Sequence, residues 1–151
     1  MPGVTDYTKA KYIKTIWSAE KYKAIEELAL VFQNSEVCND IDTLIGALKE
    51  REEIMSTGIG FGIAIPHAKI DSVTEMALAI GISKKGIEFD SMDGEPVHLV
   101  ILVIAGERQH KDYLRLLSNV MSIIKKDDVK ERIVNSPSSE EVLAILKEHS
   151  R

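Results

Sequence analysis

The run "VHLVILVI" at 97–104 is apolar at nearly every position, rich in β-branched residues, and preceded by the turn signal "MDGEP". A strand with one wet face would alternate, and this one does not, so it predicts a central strand covered by helices on both sides. "MALAIGI" (76–82) reads as a second strand, and "YIKTI" (12–16) and "IAI" (63–65) as shorter ones. The covering helices are available. From Ser18, a candidate N-cap, Ile25, Leu28, Ala29 and Phe32 recur at i, i+3, i+4 and i+7. Asn39 or Asp40 can cap a second helix with Ile41, Leu44, Ile45 and Leu48 on one stripe, before "KEREE" ends it in a charged, exposed turn. Leu114, Leu117, Val120, Met121 and Ile124 form a third stripe, "DDVKERIV" a short fourth, and Ser138 with Glu141 a capping box for the last helix. The order β, α, α, β, β, β, α, α, α predicts an α/β three-layer sandwich: a mixed, mainly five-stranded sheet with helices on both faces.

At 151 residues and 44% hydrophobic content, the chain suits a single domain over 1–151. Nineteen Lys and Arg against 24 acids leave a net charge of -5, which argues against nucleic acid and for a protein or small-molecule partner. The single cysteine, Cys38, cannot form an internal disulfide, and the polar opening "MPGVTDYTKAKYIK" lacks the apolar core of a signal peptide. The expected compartment is the cytoplasm. No apolar run approaches the roughly 20 residues needed to cross a bilayer, so any transport role is peripheral.

The motif that asks for a chemical explanation is "STGIGFGIAIPHAKI" (56–70). Glycines 58, 60 and 62 permit positive φ, and the amides there can turn toward an anion such as phosphate. A dinucleotide fingerprint would need a helix after the glycines, and a phosphate-binding P-loop would need Gly-Lys-Ser/Thr; here "IAIPH" follows and reads as a strand. Pro66 fixes φ immediately before His67, so the imidazole is presented at a stiff strand end, as a nucleophile or proton carrier would be. The competing reading is a structural histidine. His67, His98, His110 and His149 have no i, i+3 or i, i+4 pairing and none lies at ligand spacing from Cys38, so neither metal nor cofactor is expected. A serine elbow, Gly-x-Ser-x-Gly, is absent. His98, inside the central strand, reads as a satisfied imidazole or a strand-end contact.

"LKEREEIMSTGIGFGIAIPHAK", then "GIEFDSMDGEPVHLVILVIA" and "YLRLLSNVMSII", resemble the enzyme IIA domain of the fructose, mannitol and nitrogen-regulatory class of the bacterial phosphoenolpyruvate-dependent sugar phosphotransferase system, over about residues 10 to 148. The resemblance implies that His67 accepts a phosphoryl group from the phosphocarrier HPr and passes it to an enzyme IIB, with membrane association only indirect, through a permease. A neutral imidazole can attack phosphorus without a separate base, and the amides around Gly60 and Gly62 can meet the oxygens where a cation would otherwise sit. Arg51 matches the family's arginine and either steers the phosphoryl group or satisfies carbonyls at its own helix end. Thr57 either donates to phosphate or closes a turn, and Glu52 reads as a solvated or paired charge. Three departures stand out. Tyr113 occupies the position of the usual second histidine, which His110, one helical turn earlier, can replace. Phe61 replaces a polar residue and offers a ring to a docking partner or to the core. Gly106 replaces the usual Ala-Pro ending of the strand. Three functions follow as expectations: a carrier in sugar transport, a stand-alone regulator that binds a target protein according to its phosphorylation, and an anion-binding relative without phosphotransfer.

Overall fold

Burial on both faces makes Val97–Ala105 (β6) the axis of the molecule, as its composition requires. The computed structural model describes residues 3–126 and 128–149. On one edge of β6 lies the antiparallel strand Ala77–Ile87 (β5), whose outer edge takes Ile13–Thr15 (β1) in parallel. The other edge of β6 carries two short parallel strands end to end, Ile63–Ala64 (β3) and His67–Lys69 (β4), and Gly58–Gly60 (β2) pairs antiparallel with β3. The expected α/β architecture with a mixed sheet is therefore observed, with six strands where mainly five were expected. Beyond the four segments read as strands, the other two are the glycine segment and the strand that begins at His67, both of which join the ladder.

Helices Lys21–Ala29 (α1) and Ile41–Ile54 (α2) pack on one face, burying Leu28, Leu44 and Leu48 against Ala64, Ala68 and Leu102. On the other face His110–Ile124 (α3), Val129–Val134 (α4) and Ser139–His149 (α5) bury Leu116, Val120 and Ile145 against Ile63, Ile65 and Val103. Even-numbered residues of β3 and β4 thus face α1 and α2, and odd-numbered ones face α3, as a two-residue period demands.

Several boundaries differ from expectation. The N-cap of α1 is Glu20, whose carboxylate accepts from the Lys23 amide, while Ser18 donates to Glu27. Asp40 caps α2 through the Thr43 amide and hydroxyl. "KEREE" continues that helix, and Glu52 within it is buried. The buried stripe of α3 is Tyr113, Leu116, Val120, Ile123 and Ile124, one position out of phase with the expected one at its start, which leaves Leu114 exposed. Ser138 accepts from the Glu141 amide as a cap should. Asp127, the first residue of "DDVKERIV", lies outside the described residues.

Candidate functional site

His67 is the first residue of β4, directly after Pro66, whose carbonyl accepts from the Val103 amide. Its Nδ1 lies 2.8 Å from the carbonyl oxygen of Ile65. A carbonyl only accepts, so the proton of the neutral ring is on Nδ1 and the lone pair is on Nε2. The ring is half-buried and stands 6.1 Å from the Tyr113 ring at 56°. Burial holds its pKa below the ordinary 6.5; the Ile65 hydrogen bond opposes this, the Arg51 guanidinium adds to it, and Glu52 opposes it. The product is a neutral nucleophilic nitrogen at a rigid strand end.

Tyr113 closes the site from the first turn of α3. It is 7% exposed, and burial, slightly offset by Arg51, pushes its hydroxyl up to about 12, so it stays a protonated donor. Arg51 reaches the site from the last turn of α2, the helix that packs beside β4. The helix-end reading of this residue is realised. Its Nη1 donates to the Met55 carbonyl at 2.9 Å, finishing the helix, and its charge is felt at His67 and at Tyr113.

Tyr113 is the ring that stands beside the imidazole, and His110 has another partner. Its Nδ1 instead accepts from the Lys69 ammonium at 2.8 Å. Lys69 carries no signal of its own among the motifs of the sequence. It stands two positions after His67 on the same face of β4, a relation legible in "PHAK" once that segment is read as a strand.

The glycine turn lies elsewhere. His67 is level with Val103, whereas the Gly62 carbonyl accepts from the His98 and Leu99 amides, roughly 15 Å away along β6 at about 3.3 Å per residue. Gly60 and Gly62 do adopt positive φ, at 96° and 76°, and the turn does bind an anion, but that anion is internal. The Phe61 amide donates to Asp93 at 3.0 Å, and with the Glu95 amide it holds that carboxyl below its usual range. The expected cradle of Gly60 and Gly62 amides around a phosphoryl group on His67 is therefore corrected: strand register separates the two. Phe61 is 79% exposed, yet it lines a groove with Ile59, Ile63 and Met121 at this far end, not beside the imidazole. Thr57 is also committed. Its hydroxyl donates to Glu52 at 2.6 Å and its amide to the same carboxylate at 2.7 Å, so of its two readings the structural one is realised. Glu52 is paired as well with Lys21 at 3.2 Å. His98 makes the strand-end contact, donating through Nδ1 to the Ser83 carbonyl. Among the described residues no three His, Cys, Asp or Glu side chains are grouped to hold a metal ion, and no helix is long and apolar enough to cross a membrane.

Residues 7–149 match the family model "Phosphoenolpyruvate-dependent sugar phosphotransferase system, EIIA 2". The fructose-specific EIIA component of Haloferax volcanii is 36% identical over 86% of this chain and 84% of its own. The fructose-specific EIIABC component of Bacillus subtilis is 35% identical over 95% of this chain, which spans only 23% of that longer protein. The nitrogen regulatory protein of Pseudomonas aeruginosa is 27% identical over 92% of this chain and 90% of its own. Among solved structures, nitrogen regulatory protein IIA-Ntr from Neisseria meningitidis superposes with a TM-score of 0.88 at 27% identity, covering 95% of this chain and 98% of that one. The fold, the match across nearly the whole chain and the fructose-specific relatives together establish that this chain belongs to the EIIA 2 family of the phosphoenolpyruvate-dependent sugar phosphotransferase system.

Proposed function

We propose that this chain is a phosphoryl carrier, accepting a phosphoryl group on His67 Nε2 from an HPr-type phosphocarrier and passing it to an enzyme IIB. The observation that carries the reading is the half-buried imidazole whose Nδ1–H is committed to the Ile65 carbonyl and whose charge is suppressed. In the transfer, a bond forms between Nε2 and phosphorus as the donor's nitrogen–phosphorus bond breaks, and the donor leaves with its electron pair. No proton has to be removed from the nucleophile. The incoming group carries a charge of about -1.5 to -2, so the Nδ1–H bond to Ile65 then supports a ring made electron-poor by phosphorylation. Tyr113 supplies a neutral hydroxyl donor and Arg51 a cationic field. The exposed side chains of Ile54 and Met55 after Arg51, and of Leu114 beside Tyr113, suit contact with a protein surface. A solved complex of E. coli IIA mannitol with phosphorylated IIB mannitol has the same fold at 22% identity and agrees with a IIB acceptor.

A second reading, regulation of a target protein by phosphorylation state, is favoured by the close superposition on a nitrogen regulatory protein. Both share the same first step. Incubation with phosphoenolpyruvate, enzyme I and HPr is expected to place one acid-labile phosphoryl group on the chain, and His67→Gln to abolish it. Label on the variant, or none on the wild type with a competent donor, refutes the assignment and leaves the anion-binding alternative; onward transfer to a IIB separates transport from regulation.

A further inference from the structure

Tyr113 is neutral, and Arg51 finishes its own helix through Nη1. Lys69 shares the α3-facing side of β4 with His67, since Ala68 between them is buried in the opposite core layer. His110 and Tyr113 are three positions apart at the start of α3 and so lie on one helix face. Two contacts close the quadrilateral: Tyr113 against His67, and His110 Nδ1 against the Lys69 ammonium at 2.8 Å. The ammonium is thus held one residue pair along from the imidazole. Among the described residues no carboxylate forms an ion pair with Lys69; its partner is an uncharged ring nitrogen. A neutral acceptor orients an ammonium yet competes weakly against a dianion, whereas a carboxylate would hold it fast.

We propose that Lys69 is a catalytic residue of this chain, leaving His110 Nδ1 to pair with the phosphoryl oxygens on His67, and that His110 is the positioning residue holding the lysine ready when the site is empty. This rests on the phosphocarrier reading above. It gives Tyr113 and His110 separate tasks: the tyrosine donates a neutral hydrogen bond, and the histidine aims a cation it does not itself supply. No bond other than the nitrogen–phosphorus pair is made or broken, and the lysine only exchanges one hydrogen-bond acceptor for another.

The test uses the full chain with phosphoenolpyruvate, enzyme I and HPr, following phosphorylation of His67 across HPr concentrations. Lys69→Met is expected to lower the maximal rate about tenfold or more, with a smaller change in the HPr concentration for half-maximal rate. Lys69→Arg is expected to recover most of that loss. His110→Ala is expected to cost less than about threefold, because the lysine remains. In nitrogen NMR the His110 Nδ1 resonance is expected to shift when His67 is phosphorylated in the wild type and to stay put in Lys69→Met. Near-native melting temperatures and an unchanged His67 Nδ1–H signal show that the variants are folded. A wild type that takes no phosphoryl group overturns the carrier reading and this inference with it. A phosphorylated wild type matched in rate by Lys69→Met overturns this inference alone, and a His110→Ala loss as large as that of Lys69→Met overturns the division of roles.

Discussion

Replacing Glu52 by glutamine isolates one buried charge that holds the strand layer to α1. The carboxylate is 2% exposed, accepts the Thr57 hydroxyl at 2.6 Å and amide at 2.7 Å, and faces the Lys21 ammonium at 3.2 Å. Lys21 is itself buried, its ammonium stacked 5.3 Å from the centre of the Phe89 ring. Glutamine keeps the shape and one carbonyl oxygen for the Thr57 amide, while the Thr57 hydroxyl can turn to accept from the new amide. What disappears is the counter-charge. Orphaning one member of a buried pair costs about 3–5 kcal/mol, and because the cation–π contact and the retained hydrogen bonds soften this, about 3 kcal/mol is expected for Glu52→Gln. Lys21→Met removes the orphan, so the double variant should return to within about 1 kcal/mol of the wild type, a coupling of some kilocalories that additive effects cannot mimic. Urea unfolding of all four proteins at neutral pH, with denaturant slopes unchanged, gives the cycle. A Glu52→Gln loss below about 1 kcal/mol, or a double variant as unstable as the sum of the singles, refutes the reasoning. The same variant has a second readout at the site. Glu52 is the negative charge that raises the His67 pKa, so its neutralisation should move the imidazole titration further down.

Two further outcomes follow from the site and the glycine turn. Because the folded His67 pKa lies below the ordinary 6.5, its contribution to stability is fully present above that value and is lost as pH falls from 6.5 through the folded pKa. The stability gap between the wild type and His67→Gln should therefore be flat above pH 6.5 and change only below it, and phosphoryl acceptance should stay near maximal down to that pH; a half-maximal rate above 6.5 contradicts the burial argument. Phe61 holds φ at 59° with its ring largely in solvent, so Phe61→Asn, which enters the left-handed region readily, should stabilise the chain by about 1 kcal/mol in urea unfolding. Destabilisation would show that the ring packs in solution.

The parts of this fold that were legible were those written in local pattern. The unbroken apolar run of β6 required helices on both sides, and the Pro-His pair announced a strand end with a displayed imidazole. What escaped notice depends on residues far apart in sequence. The glycines at 58, 60 and 62 suggested an anion nest, and nothing near them says that Asp93, some thirty residues on, fills it. "YLRLLSNVMSII" offers two overlapping apolar stripes, and only packing against β6 selects the one that buries Tyr113 and exposes Leu114. Glu52 looked like one more charge in "KEREE", since its partners are Lys21, thirty-one positions earlier, and a threonine beyond the end of the helix. Lys69 was hidden for a different reason: its meaning depends on the contact with His110, forty-one residues away.

β3 and β4 dock on a single edge of β6 with one constant offset, Ile63 beside Leu99 and His67 beside Val103. Side-chain direction along this stretch is thus a matter of parity. Losing or gaining one residue between Ile63 and His67 would point the imidazole toward α1 and α2, away from Tyr113, while bringing Ala68 out in its stead. Segment length here decides the direction of the ring as firmly as the ring's own bonds do.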